Sequence, residues 1–387
     1  MCARGEHFAQ SARSKDLVSL FSDLAPDLPP RGRGRKRIGW TVLGVALVGV
    51  GIVGVIPAPY VIEKPGPAFD TLSTVEVAGE KVPLIDIPSE TTYPTKGSLD
   101  MLTVTVSGNR EQRPGWLEIA ASWLDPSTAV VPLDDVYPEG VTVKQSTEVS
   151  RVEMVNSQEQ AIAAALTKLD YTFPTTLTVV QTQKGYAADG RLEAGDTIQR
   201  VNGESFADVS QLRAAIAANG VTSPASIEIV RKGVASQVDL TPTLSPGENP
   251  IPVLGIVVGN EFDFPFDVEI QLENVGGPSA GMMFALGIID KLTPGELNGG
   301  QNVAGTGTIT ATGEVGPIGG IRQKMYGALG AGAASFLAPS ANCDDVVGHI
   351  PDGLAVYSVT TLDDALAALA AIDTGKGVAD LPTCSAP

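Results

Sequence analysis

The sequence is poor in the side chains that most metalloproteins and many hydrolases use. Its 387 residues include only two histidines, His7 and His349, and three cysteines. No C-x-x-C, H-E-x-x-H or G-x-x-x-x-G-K-[ST] spacing occurs. That excludes the common zinc sites and the phosphate-binding loop of nucleotide hydrolases. We therefore expect no metal and no cofactor.

Positive charge is scarce outside the first 37 residues. Those residues carry eight Lys or Arg against four Asp or Glu, while the whole chain has a net charge of −18. The rest of the chain is therefore strongly acidic. An acidic surface repels the phosphate backbone of DNA and RNA, so we expect no nucleic-acid partner.

A run without any charge follows this basic segment. Residues 38–56 contain no charged side chain, and residues 31–37 just before them are mostly arginine and lysine. A helix of this length nearly spans a bilayer core of about 30 Å. This predicts a single transmembrane helix over 38–57 in the cell membrane. Residues 1–37 would be cytosolic and the later residues extracytoplasmic, because basic flanks stay in the cytosol. A cleaved signal peptide is the alternative.

A serine lies in a glycine-rich turn between two apolar patterns. Residues 267–272 alternate as in a strand, Gly276-Gly277-Pro278-Ser279-Ala280-Gly281 follows, and residues 282–289 are almost all apolar. This predicts a strand, a tight turn and a buried helix that begins near Ser279. The helix start offers N–H groups that could hold an oxyanion beside a serine nucleophile. The alternative is a serine that only caps the helix.

A lysine lies on the apolar face of a second predicted helix. Residues 319–320 are glycines, and Ile321, Lys324, Ala328 and Leu329 then share one helical face. Burial disfavours the charged form of a lysine and lowers its pKa, so Lys324 is a candidate general base. The alternative is a lysine with a buried stem and a solvated amine.

These two segments, with two others, resemble the proteolytic domain of the Lon family of Ser-Lys peptidases. The matching motifs are Gly277-Pro278-Ser279-Ala280-Gly281, Thr306-Gly307-Thr308-Ile309-Thr310, residues 313–324 and Pro339-Ser340-Ala341-Asn342. The resemblance implies that Ser279 is the nucleophile, that Lys324 is the general base, and that Thr306 hydrogen-bonds the lysine. The residues implied to support the serine turn are Gly277, Pro278 and Ala280.

The sequence departs from the family in two respects. Val275-Gly276 stands where many Lon enzymes have Lys-Asp before the Gly-Pro-Ser, which leaves any acidic helper unassigned. Lon enzymes also usually carry an ATPase module, and the absence of a phosphate-binding loop here means that any ATP-driven unfolding would come from elsewhere.

An esterase is the rival enzyme class, because residues 277–281 also satisfy the G-x-S-x-G nucleophile elbow. That chemistry needs a histidine base, and only His349 follows the serine. Between Ser279 and His349, the only acids near this histidine are Asp344 and Asp345, which are too close to it in sequence for the usual arrangement on separate loops. The sequence therefore favours the lysine over a histidine.

Residues 176–243 resemble a bacterial PDZ domain. Its signature here is Leu192-x-x-Gly-Asp-x-Ile-x-x-Val-Asn-Gly, ending at residue 203. Such a module binds an extended peptide at a sheet edge. The loop that the resemblance suggests for binding the peptide carboxylate is Lys184, Gly185, Tyr186 and Ala187. The alternative is a purely structural spacer.

The expected fold is an α/β (α+β) Lon-type peptidase domain with an inserted, mainly β PDZ domain. Residues 67–170 would form the first part of the peptidase fold and 251–373 the Lon-type proteolytic domain. Residues 244–250 would be the return linker and 374–387 a flexible tail. Residues 154–161 loosely match a Met-x-x-Ser-x-x-Ala stretch of the Lon peptidase domain. Cys343 and Cys384 could pair in an oxidising compartment, and the sequence leaves this open.

Taken together, the sequence predicts a membrane-anchored, extracytoplasmic serine endopeptidase that acts on proteins or peptides. Its dyad would be Ser279 and Lys324, and the PDZ domain would recruit substrates. The alternative is a non-catalytic envelope scaffold that binds peptide C-termini through the PDZ domain. A scaffold would need neither dyad residue, which favours the enzyme.

Overall fold

The computed structural model describes residues 33–77, 79–137, 142–206, 209–245, 250–272 and 275–385. It divides into two compact units, Met1–Val55 and Ile56–Pro387. In the first unit, helix α1 (Arg33–Val55) covers the charge-free run. None of the helices in these described ranges is long and apolar enough to cross a membrane. The transmembrane prediction over 38–57 thus has no structural support, and residues 1–32 of the predicted cytosolic segment lie outside the described ranges.

The second unit contains the remaining elements. Its helices are α2 (Trp116–Ser122), α3 (Leu133–Val136), α4 (Val143–Lys168), α5 (Val209–Asn219), α6 (Gly281–Leu292), α7 (Ile321–Gly330), α8 (Cys343–Val346) and α9 (Leu362–Thr374). Its longer strands are β1 (Tyr60–Asp70), β5 (Ser98–Ser107), β7 (Thr175–Thr182), β8 (Thr197–Val201), β9 (Ala225–Arg231), β10 (Val234–Leu240), β13 (Ile256–Phe262), β18 (Ser335–Pro339) and β19 (Ala355–Val359). The short strands are β2 (Thr74–Val77), β3 (Glu80–Pro83), β4 (Ile85–Asp86), β6 (Ala129–Pro132), β11 (Thr243–Leu244), β12 (Pro252–Val253), β14 (Glu269–Ile270), β15 (Asn302–Gly305), β16 (Thr308–Ile309) and β17 (Val315–Gly316).

The main sheet combines the two halves of the chain that flank the small module. Its six strands lie in the order β19-β18-β15-β5-β1-β6. Strands β15, β18 and β19 are parallel to each other and to β5, whereas β1 is antiparallel to both of its neighbours. Residues 60–132 and 302–359 therefore share one sheet, although the five-stranded module lies between them in sequence.

Helices cover both faces of this sheet. Helices α4, α6 and α9 share one apolar core with residues such as Leu99 and Met101 of β5. Helix α7 packs on the opposite face, in a second core with Leu102 of β5 and Phe336 of β18. Successive residues of a strand point to opposite faces, so Met101 and Leu102 enter different cores.

The small module is a five-stranded antiparallel sheet in the order β10-β9-β8-β7-β13, covered by α5. Strands β8, β9 and β10 and helix α5 lie within the residues that resemble a PDZ domain, and β7 begins one residue before them. The last strand, β13, had been assigned to the peptidase domain within 251–373, but it pairs with β7 from Ile256 to Phe262. The pairing buries Leu254 and the inner side of β13 against the module's core. The module therefore spans residues 175–262, and residues 246–249 of the proposed linker lie outside the described ranges.

Residues 154–161, which loosely match a stretch of the Lon peptidase domain, lie inside α4. This helix begins at Val143, where Thr142 and Gln145 form a capping box. The strand predicted over 267–272 is only the two-residue β14, which pairs with β4. The last helix, α9, begins after Thr361, whose hydroxyl accepts a hydrogen bond from the Asp364 N–H.

The segment expected to be a flexible tail is held to the domain. A disulfide joins Cys343 of α8 to Cys384. The N–H of Ser358 in β19 also donates to the carbonyl of Pro382 at 2.8 Å. The sequence left this disulfide open because a polar segment gives no sign of where it packs. In the structure, Val378 and Leu381 of this segment also pack against the main apolar core.

Candidate active site

The candidate active site lies where one strand of the main sheet ends early. Strand β15 pairs with β5 only from Asn302↔Ser98 to Gly305↔Met101. Strand β5 continues to Ser107, and its residues 102–105 line a cleft of about 370 Å³ that also contains Ser279 and Lys324. Helix α6 from one face of the sheet and helix α7 from the other can therefore bring one side chain each into the same cleft.

The turn before α6 holds Ser279 at the cleft. Gly277 has a φ of +88°, which a side chain would strain. A Cβ on Gly281 would lie 2.9 Å from Ser157 Oγ and from a methyl of Ile309, so only glycine fits there. The Ser157 hydroxyl donates to the carbonyl of Pro278 at 2.9 Å. The turn is thus held by α4, and the Ser279 hydroxyl lies just before the start of α6.

Lys324 reaches Ser279 from the first turn of α7. Gly320 precedes this helix with a φ of +68°, and a Cβ there would lie 2.6 Å from a methyl of Val104 on β5. This close approach places the next turn of α7 against the sheet. Lys324 is only 2% exposed, and its Nζ lies 2.7 Å from Ser279 Oγ.

The surroundings of Lys324 make it a base at neutral pH. Burial lowers the pKa of Lys324 from 10.5 to about 7, and the Glu63 carboxylate opposes that shift. A buried ammonium loses its hydration, so the neutral amine becomes the favoured form. Near pH 7 a large fraction of Lys324 therefore carries the lone pair that can accept the Ser279 proton.

Thr306 fixes the direction of the hydrogen bonds around the amine. Its hydroxyl donates to the backbone carbonyl of Ser279 at 2.9 Å, and its Oγ1 accepts from Lys324 Nζ at 3.0 Å. A hydroxyl has only one proton to donate, so Thr306 must be an acceptor towards the lysine. The N–H of Gly307 also donates to the Ser279 carbonyl at 2.9 Å. The lone pair of a neutral Lys324 is then left for the serine hydroxyl.

The remaining predicted residues of this site also lie at the cleft. Ala280 lines it beside Ser279, and Gly277 and Pro278 form the preceding turn. The sequence did not indicate which side chains form the walls of the cleft. These are Leu102, Thr103, Val104 and Thr105 of β5 and Pro67 of β1. The alternating pattern of a strand does not show which helices will begin beside it.

The histidine that an esterase would need does not serve this site. His349 is exposed, and its Nδ1 lies 3.0 Å from the carbonyl of Val347. The base at hydrogen-bond distance from Ser279 is Lys324 instead. Among the residues that the structure describes, no group of three or more His, Cys, Asp or Glu could hold a metal ion.

A second groove lies on the small module, between α5 and β13. It encloses about 500 Å³ and is lined by Leu212 and Ile216 of α5 and by residues 252–258. Of the four residues predicted to bind a peptide, Tyr186 lines this groove, whereas Lys184, Gly185 and Ala187 do not. Lys184 and Gly185 are exposed, and Ala187 packs beside the module's core.

The groove residues that the sequence reasoning missed are Leu254, Gly255 and Ile256. They follow the Pro/Gly-rich linker and had been placed with the peptidase domain. Gly255 has a φ of +74°, and a Cβ there would lie 2.1 Å from the Tyr186 Cβ. The signal in the sequence that could have indicated this close contact was a glycine between two apolar residues.

Comparison with known proteins identifies two domains. A profile of the Lon protease (S16) C-terminal proteolytic domain matches residues 274–371, and a PDZ domain profile matches residues 138–230. The second match includes α4 and stops before β10 and β13. The first match lies within residues 251–373, where the Lon resemblance was found. The second overlaps the PDZ resemblance over residues 176–230 and also extends back over residues 138–175, most of which had been assigned to the peptidase fold.

Individual relatives match only a small part of the chain. Lon protease 1 of Sorangium cellulosum is 40% identical over 94 residues, which are 24% of this chain and 11% of that protein. Lon protease 1 of Bacillus subtilis is 33% identical over 118 residues, which are 28% of this chain and 15% of that protein. The chain therefore spans only about a tenth to a seventh of the length of these relatives.

Among solved structures, the PDZ domain of the SdrC-like protein Lin2157 from Listeria innocua is 21% identical. The match covers 21% of this chain and 92% of that chain, with a TM-score of 0.20. The sequence matches show that this chain contains a Lon-type C-terminal proteolytic domain and a PDZ domain.

Proposed function

We propose that this chain, with its Lon-type proteolytic domain and its PDZ domain, is a serine endopeptidase that uses Ser279 and Lys324. The observation that carries the proposal is the 2.7 Å distance between Ser279 Oγ and the Nζ of a lysine that is 2% exposed. A surface lysine would stay protonated at neutral pH, whereas burial lowers the pKa of this one to about 7.

The reaction follows from the hydrogen bonds of the dyad. Ser279 Oγ attacks the peptide carbonyl while neutral Lys324 takes the hydroxyl proton, which forms a tetrahedral oxyanion. N–H groups at the start of α6 are the donors available to hold this charge. The Lys324 ammonium then protonates the leaving amine, and the acyl-enzyme remains. Water, deprotonated by the same lysine, hydrolyses that ester and restores the serine.

The cleft fits an extended polypeptide. In the described part of the chain, no strand pairs with residues 102–107 of β5 on the side away from β1. A peptide strand added there would run past Ser279 and satisfy the exposed N–H and C=O groups of β5. This geometry favours unfolded segments and peptides over compact folded substrates.

The test is labelling and cleavage by the second unit, residues 56–387. We expect a fluorophosphonate probe to label the wild-type protein at neutral pH and an unfolded protein substrate to be cut. The Ser279→Ala variant should show neither reaction. Labelling that persists in Ser279→Ala would place the reactive serine elsewhere and overturn the proposal.

We further propose that the PDZ domain recruits protein substrates through the groove between α5 and β13. Deletion of residues 175–262 tests this, because the Asp263 N–H donates to the Pro174 carbonyl at 3.0 Å and a two-glycine linker can join these ends. The deletion should leave kcat/KM for a short fluorogenic peptide within about twofold. For a protein substrate it should raise KM, since docking alone is lost.

The short peptide is the internal control of this deletion. Loss of both activities in a folded variant would mean that the module completes the catalytic site. Unchanged activity on both substrates would make the module a spacer. Either result would contradict recruitment.

We also propose that residues 38–57 anchor the chain in the cell membrane, with the catalytic domain extracytoplasmic. The charge-free run after a basic segment supports this topology, and so does the Cys343–Cys384 disulfide, because disulfides persist in oxidising compartments. A reporter that is active only outside the membrane should be active when fused after residue 65 and silent when fused after residue 30. The reverse pattern would place the domain in the cytosol.

A further inference from the structure

The two faces of strand β1 meet different helices. Tyr60, Ile62 and Lys64 lie on one face. Tyr60 and Ile62 share an apolar cluster with Trp116 and Ile119 of α2, and Lys64 Nζ lies 3.8 Å from the Glu118 carboxylate of the same helix. The register of β1 with β5 shifts at a bulge between Pro65 and Ala68. Before this bulge, the even-numbered residues of β1 therefore face α2, and the odd-numbered residues face the other side of the sheet.

The other side of β1 is covered by α7. A Cβ on Gly327 of α7 would lie 3.8 Å from the Pro65 Cβ and 3.3 Å from a methyl of Leu102. Gly320, Lys324 and Gly327 recur at intervals of four and three residues, so they lie on one helical face. Glu63 is two residues before Pro65 in a regular part of β1, and it pairs with Val106 of β5. The carboxylate of Glu63 thus extends into the layer between the sheet and the Lys324 face of α7.

Few other charges face this layer. Arg322, on the same helix, lies 4.0 Å from the Asp345 carboxylate of α8 at the exposed surface. On β5, Val104 and Val106 share a face with Leu102 and are uncharged. Asp100 is on the same face, but it pairs with Asp70 at the opposite end of β1 from Glu63. Strand β6 brings the neutral Ala129 beside Glu63.

We propose that Glu63 is a positioning residue of the dyad, whose carboxylate stabilises the ammonium that Lys324 forms when it takes the Ser279 proton. The role rests on the proposed peptidase function. It is the acidic partner that the Val275-Gly276 departure had left unassigned, and it comes from a strand at the start of the domain instead of the serine loop. Glu63 acts through Lys324 and needs no contact with the substrate.

The electrostatics of the pair agree with this placement. Burial is the main influence on each group: it lowers the pKa of Lys324 and raises the pKa of Glu63. Each partner opposes the effect of burial on the other, because the carboxylate favours the ammonium and the ammonium favours the carboxylate. Removing the carboxylate should therefore lower the pKa of Lys324 further.

The test compares Glu63→Gln with Glu63→Asp and with Glu118→Gln, a control on the opposite side of β1. We measure the rate of fluorophosphonate labelling and kcat for a fluorogenic peptide from pH 5 to 10. In Glu63→Gln the acid limb of the pH–rate profile should move to lower pH by about one unit, and kcat on the plateau of that profile should fall about tenfold with KM unchanged. Glu63→Asp should partly restore the position of the acid limb and the plateau kcat, and Glu118→Gln should match the wild type.

The combination of a lower plateau and an acid limb at lower pH is the diagnostic result, since loosened packing alone would not move the limb. A folded Glu63→Gln variant with the wild-type limb would overturn the role of Glu63. If Glu63→Gln does not fold, a folded Glu63→Met variant, which also lacks the carboxylate, would overturn the role by showing the wild-type limb. A wild-type chain that labels at no pH would overturn the proposed function itself, and this role with it.

Discussion

Replacing Ser279 with alanine is expected to lower kcat/KM by at least about 10³-fold, because no other group supplies the attacking oxygen. Lys324→Ala should cost a similar factor, since Ser279 Oγ then lacks the amine that lies 2.7 Å away. The double variant should be no slower than either single variant, because the two residues act as one unit. Peptide hydrolysis under kcat/KM conditions measures all three.

The fold should survive the serine change. Ser279→Ala removes one hydrogen bond from a half-buried hydroxyl, so the free energy of unfolding should change by about 1 kcal/mol or less. Ser340→Ala is a matched control, because this serine accepts a hydrogen bond from Thr360 away from the dyad. Retained cleavage in either Ser279→Ala or Lys324→Ala would contradict the assignment of the dyad.

The dyad could be predicted because each of its signals is local. A glycine turn before an apolar helix indicated where Ser279 lies, and helical spacing indicated that Lys324 lies on an apolar face. Neither pattern indicates that Ser279 and Lys324 are in contact. That contact depends on β15 ending at Gly305, which lets α6 and α7 approach from opposite faces of the sheet. The resemblance to the Lon family supplied the pairing, and the structure places the two atoms at hydrogen-bond distance.

The C-terminal boundary of the small module could not be predicted because it depends on the pairing of β13 with β7, the first strand of the module. Strand β13 reads as an ordinary alternating strand, and the proline and glycine residues before it indicated a domain boundary. Its backbone partners, however, are in β7, more than seventy residues earlier. The same long-range pairing assembles the groove, so Leu254, Gly255 and Ile256 were missed together with β13.

Glu63 illustrates a different limit of sequence reasoning. A single acid in an apolar strand is compatible with a solvent-facing position, and nothing near it in sequence suggests a lysine partner. Only the contacts of Pro65 with α7, and of Tyr60 and Ile62 with α2, decide which face Glu63 is on. Residues that act through a catalytic group can therefore be identified only once the packing of the sheet is known.

Replacing Lys324 with methionine should abolish activity and yet stabilise the fold. The folded-state pKa of Lys324 is lowered from 10.5 to about 7, so the unfolded chain binds the proton more tightly than the folded one. This difference destabilises the native state by about 4 to 5 kcal/mol at pH 7. Methionine has a similar length and no charge to desolvate. Loss of the hydrogen bonds to Ser279 and Thr306 offsets about 2 kcal/mol, which leaves a net gain of about 2 to 3 kcal/mol at pH 7.

The gain should depend on pH with a defined sign. The destabilisation caused by Lys324 is complete below about pH 7 and disappears as the pH rises towards 10.5, where the amine is neutral in both states. The difference in unfolding free energy between Lys324→Met and wild type should therefore fall by about 3 kcal/mol between pH 7 and pH 10, as measured by urea unfolding at each pH. Lys376→Met, at an exposed lysine, is the matched control and should show no such change. A Lys324→Met variant whose advantage over wild type is absent at pH 7, or is the same at both pH values, would mean that Lys324 is hydrated and protonated in the resting protein, and it would remove the basis for a neutral general base.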